Sequence, residues 1–137
     1  MFSAALQKSI QKIGDKYNLK LILIHGSYAK NKQRIGSDLD IAILGKQSID
    51  WKIFNNIFND LENIFGNKEE RELDLKTLEN VDPLFLYQVM KDSILLYGSS
   101  FDYWELKTYA IRNYWDSAPI FKLEDALLNK YFKRKYV

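Results

Sequence analysis

At 137 residues, with 47% hydrophobic and 28% charged positions, the chain has the composition of one globular domain, large enough for a core and too small for an appended module. A net charge of +2 gives no ground to expect direct nucleic-acid binding, and the lack of any cysteine excludes disulfides and thiol chemistry. The apolar runs are too short to cross a bilayer and no signal-peptide core opens the sequence, so no membrane association and a cytoplasmic location are expected.

The spacing of Leu6, Ile10, Ile13 and Tyr17 predicts a helix over 3–17 with Ser3 as its cap. Leu19 to His25 follows as a strand apolar enough to be buried on both faces. A short helix and a polar loop are expected over 27–37, then a second strand from Asp38 to Leu44, stopped by Gly45. Trp51, Phe54, Ile57, Phe58, Leu61, Ile64 and Phe65 fall at helical spacing, with Ser48 as a cap and Gly66-Asn67 as the stop. That reading places the aromatic stripe Trp51, Phe54, Phe58, Phe65 in the core. A third strand is expected from about Arg71 to Leu78, a helix starting at Asp82-Pro83, and a fourth strand from Ser93 to Tyr97 closed by Gly98. Two helices then follow, at about 101–115 and 122–132. Strands alternating with amphipathic helices give an α/β (α+β) domain: a small mixed sheet, one face covered by helices.

The chemistry concentrates in Gly26-Ser27, ten residues, then Asp38-Leu39-Asp40. Residues two apart in a strand project from one face, so Asp38 and Asp40 make a half-built cage for a hard divalent cation, best matched by Mg²⁺. Gly26 lets backbone approach a polyphosphate, and the Ser27 hydroxyl can bond it. Asp74 stands among leucines in the third strand as a further acid. Clustered, unpaired carboxylates repel, and bound metal is the usual resolution. If the second and third strands are neighbours, three carboxylates converge beside a phosphate cradle, which suggests metal-assisted phosphoryl or nucleotidyl transfer.

At Gly26-Ser27-Tyr28-Ala29-Lys30-Asn31 and Gly36-Ser37-Asp38-Leu39-Asp40-Ile41-Ala42-Ile43 the chain resembles the DNA-polymerase-β-like nucleotidyltransferases, and more closely the minimal nucleotidyltransferase (MNT) antitoxins of HEPN/MNT toxin–antitoxin pairs. That family usually has Arg-Gly where Lys30-Asn31 stands; Asn tolerates the left-handed backbone such a Gly would adopt, whereas Lys loses a two-pronged phosphate donor. The resemblance implies that the second and third strands are neighbours. It implies that Asp38, Asp40 and Asp74 are the catalytic and Mg²⁺-binding residues, and that Gly26, Ser27, Lys30 and Ser37 hold the nucleotide. It also implies ATP as substrate, and as partner a cognate HEPN ribonuclease toxin, modified by AMP on a tyrosine hydroxyl and so inactivated, within a hetero-oligomer. The alternatives are a non-catalytic antitoxin acting by steric binding, or nucleotidyl transfer to a small molecule or nucleic-acid end.

Other residues say less. His25 has no Cys or second His to complete a metal set and reads as a hydrogen-bonded structural histidine; Tyr28 is equally suited to the core or to a base. The basic, aromatic tail 129–137 reads first as a solvated end. Together with Trp104, Tyr109, Tyr114 and Trp115, the segment from about 100 to 137 is the part of this single domain able to present a protein-facing patch.

Overall fold

The computed structural model describes residues 3–31, 38–66 and 71–136, without the side chains of 118, 120, 121 and 131–136. Helix α1, Ala4–Lys16, is capped by Ser3, whose hydroxyl accepts from the Leu6 N–H at 3.2 Å. Strands β1, Leu19–His25, and β2, Leu39–Gly45, pair antiparallel, with Ile22 opposite Ile43 and His25 opposite Asp40. Helix α2, Trp51–Phe65, leads to β3, Leu73–Thr77, which pairs parallel to β2 with Asp40 opposite Asp74. Helix α3, Pro83–Lys91, leads to β4, Ile94–Tyr97, on the other edge of β1. The sheet order is β3-β2-β1-β4, and α4, Ser100–Tyr136, follows.

Helices cover both faces of the sheet, not one. Helices α1 and α2 seal the face of Ile22, Ile24, Ile41 and Ile43 with Ile10, Ile13, Ile57 and Leu61. Helices α3 and α4 seal the face of Leu21, Leu23 and Ala42 with Leu86, Val89, Met90, Tyr103 and Ala110. Periodicity reveals which stripe of a helix is apolar but not which side of a sheet receives it, and β1 and β2 have apolar residues for both. Each fully buried Leu or Ile contributes about 1.5–3 kcal/mol.

Three further expectations need correction. The cap of α2 is Asp50, not Ser48: its carboxylate accepts from the Ile53 N–H at 2.8 Å. Asp50 directly precedes the first helical residue, where a cap must stand to reach the free amides. Trp51 is 78% exposed rather than core. It lies about 100° round the helix from the Ile57–Leu61 line, at the margin of the apolar arc. Finally, the two C-terminal helices are one, with Pro119 inside it. Proline removes a single hydrogen bond, to the Trp115 carbonyl, and the Lys-, Glu-, Ala- and Leu-rich sequence beyond it restores helix. Asp82, by contrast, caps α3 as expected, with Pro83 at its first position.

Candidate active site

The strand ends build the site. After β1 the chain turns at Gly26, φ +73°, with the Lys30 N–H donating to the Gly26 carbonyl at 3.2 Å and the Asn31 N–H to Tyr28 at 3.3 Å. Asn31 takes φ +56°, the left-handed conformation anticipated for it. The turn occupies 26–31 in place of the expected short helix; the rest of that segment, Ser37 included, lies outside the described residues. The first amides of such a turn have no preceding carbonyl to bond, which leaves them for an anion. Tyr28 and Ala29 pack against the core face of α1 and α2, so Tyr28 anchors the turn.

Register aligns His25, Asp40 and Asp74 in one row across β1, β2 and β3, on the face that α3 and α4 cover farther along. Asp38 precedes β2 by one residue and stands exposed at the row's edge. The neighbourhood of β2 and β3 implied by the resemblance is therefore present, and Asp74 lies beside Asp40. Gly26 faces the same point: a Cβ there would collide with Asp40 Oδ2, and its positive φ already disfavours a side chain. The backbone of the turn thus comes against the carboxylate as only glycine allows.

The crowding of like charge is visible in acidity. Burial first, then the charge and hydrogen bonding of Asp74 and the charge of Asp38, push the Asp40 carboxyl up to about 6; Lys76 opposes them. Among the described residues, no three or more His, Cys, Asp or Glu side chains are gathered into a finished metal cage. The donor chemistry nevertheless fits a hard cation: oxygen-only, partly desolvated, and repulsive without a positive charge between the acids.

The remaining site residues are less uniform. Lys30 turns to Asp92, at the end of α3, in a 3.5 Å pair rather than to the aspartates. Both side chains are partly exposed, so this pair is weak. The hydrogen bond expected for His25 is missing among the described residues: its Nε2 is buried without a partner. Burial, and then Lys76, lower its pKa against the pull of Asp74, keeping the imidazole neutral. Lys76, to which the sequence motifs assign no role, stands on the face of Asp74, two residues on, as strand alternation requires.

A mixed four-stranded sheet, a glycine turn ending β1 and paired aspartates on β2 and β3 define a nucleotide-handling α/β domain. Residues 8–102 match the polymerase β nucleotidyltransferase family, and the chain belongs to that family. A Methanocaldococcus jannaschii protein assigned as a protein adenylyltransferase, MJ1215, is 35% identical over 63 residues, which are 46% of this chain and 73% of that protein. A solved toxin–antitoxin complex with AMP-PNP contains a chain that superposes with a TM-score of 0.71 at 23% identity, over 89% of this chain and 98% of that one. A complex of tri-AMPylated Shewanella oneidensis HEPN toxin with MNT antitoxin gives 0.66 at 21% identity, over 90% and 97%. At such identities the likeness shows the shared fold. Among the described residues no helix is long and apolar enough to cross a membrane.

Proposed function

We propose that this chain is an MNT antitoxin that, with Mg²⁺, transfers AMP from ATP to a tyrosine hydroxyl of a cognate HEPN ribonuclease toxin and so silences it in the cytoplasm, where ATP is supplied. The observation that carries this reading is the juxtaposition of Asp40 and Asp74 against the Gly26 turn. The AMPylated toxin of the S. oneidensis complex supports the acceptor class.

In this reading Ser27 and the turn amides hold the β- and γ-phosphates, with Lys30 released from Asp92 and Ser37 as further contacts. Asp38, Asp40 and Asp74 would hold the cations, whose chemistry would be to neutralise phosphate charge and align the reactants. Asp74 orients the acceptor oxygen and takes its proton. The acceptor oxygen forms a bond to the α-phosphorus as the bond from that phosphorus to the β-bridging oxygen breaks, and pyrophosphate leaves with the electron pair. The acceptor arrives from the partner, for which α4 offers the surface: Phe101, Trp104 and Trp115 are 74%, 57% and 62% exposed.

That same surface favours the second reading, capture of the toxin without chemistry. One experiment separates them. The chain, its neighbouring gene product, Mg²⁺ and α-labelled ATP are incubated and the partner is analysed for added AMP. Label on a partner tyrosine is expected; stable complex formation with no label would leave steric capture as the function.

A further inference from the structure

Lys76 is the one cation on the acidic face of β3, and its surroundings are unusual for a surface lysine. Its register partner on β2 is Ala42, a small, fully buried side chain. The ring of Phe85 on α3 lies beside the ammonium, with Nζ 5.2 Å from its centroid, a cation–π contact that ties Lys76 to α3. From there Nζ reaches Asp74 Oδ2 at 3.9 Å, an ion pair too long for a hydrogen bond. Among the described residues it has no hydrogen-bond acceptor, so three N–H donors remain unspent on a side chain 46% exposed. Its field is felt across the row, at Asp40 and at His25.

Loading the site changes what this ammonium faces. Asp74 would share its carboxylate with any bound cation, which would compete with Lys76 and repel it. Three carboxylates and a nucleoside triphosphate carry about seven negative charges, of which two divalent ions cancel about four, so negative charge is left on the phosphates. We infer that Lys76 is an exchangeable counter-charge: it attends Asp74 before nucleotide binds and passes to a phosphate oxygen when a metal–nucleoside triphosphate binds. It is therefore a nucleotide-binding residue on the opposite flank of β2 from Lys30. The inference rests on the nucleotidyl-transfer reading and adds a ligand to it.

The two roles separate metal affinity from nucleotide affinity. In titration calorimetry, Lys76→Met is expected to bind Mg²⁺·AMP-PNP about tenfold or more weakly than wild type, with Lys76→Arg within about threefold. The same Lys76→Met protein is expected to bind Mn²⁺ alone as tightly as wild type or up to about threefold more tightly, since a competitor for Asp74 is gone. Lys76→Gln serves as a second neutral variant, and the melting temperature of each checks that it folds. Unchanged Mg²⁺·AMP-PNP affinity in both neutral variants would overturn the inference. So would a parallel fall in Mn²⁺ affinity, which would mean that Lys76 merely props the aspartates. Failure of the wild-type protein itself to bind Mg²⁺·AMP-PNP would instead sink the underlying reading.

Discussion

The two faces of the sheet use the same strands for different ends. On the α1–α2 side, Ile22, Ile24, Ile41, Ile43, Ile57 and Leu61 are fully buried, in a cluster whose buried members are all apolar. On the α3–α4 side the apolar residues stop partway: Leu21, Leu23 and Ala42 are sealed, and beyond them come His25, Asp40 and Asp74. One face therefore supplies stability. The other divides itself between holding α3 and α4 and displaying charge that the fold alone does not need. Residues that alternate along β2 should differ accordingly in what their loss does.

The sharpest break of that comparison is Asp38→Asn with Asp40→Asn. Nucleotidyl transfer is expected to fall by about a thousandfold or more, because the cation sites go with it, while circular dichroism and complex formation stay as in wild type. Retained transfer would mean that the acidic row is not the centre. The opposite face gives the converse. Leu61→Ala, in a position with no exposure, should cost about 2–5 kcal/mol in urea unfolding and leave AMP transfer at low temperature nearly unchanged.

A smaller effect tests whether the acids are a burden on the empty protein. The proton on Asp40 is held more tightly in the folded state than in the unfolded chain, because the folded pKa is raised to about 6. The stabilisation from that proton is present at low pH and lost as pH rises from about 4 through 6. Asp40→Asn should therefore melt higher than wild type at pH 8 without metal, and the gap should close near pH 4. Discounted for solvent screening, the gain is about 1 kcal/mol, or about 3–5 °C. A variant that melts below wild type at pH 8 would contradict the electrostatic account of the row.

Much of this division was legible because it rests on short-range rules. Alternation put Asp38 with Asp40, helical spacing located α1 and α2, and the Asp82-Pro83 pair marked the start of α3. Asn31 was readable as a left-handed position because few residues tolerate that backbone. What escaped depended on distance in space. Trp51 fits the α2 stripe in sequence but lies at the edge of its buried arc. The helices expected at about 101–115 and 122–132 are one, which continues through Pro119 despite the local penalty of a proline. Lys30 and His25 show the same limit at the site: the partner of one, Asp92, stands at the end of α3, and among the described residues the buried Nε2 of the other has none. Lys76 follows from the same alternation as the aspartates, two residues beyond Asp74 on the same face of β3.

Helix α4 has a mechanical consequence. At 37 residues it runs for about 55 Å at the usual rise per residue, well past the last strand it touches. Beyond Pro119 its leucines, Leu123, Leu127 and Leu128, are all more than half exposed, and a free helical arm of that length is only marginally stable in water. Its outer turns should exchange their amide protons within the time that the sheet's remain locked, and slow sharply when another molecule lies along them. The arm thus works as a reporter of engagement, readable by hydrogen exchange without touching a single residue of the catalytic row.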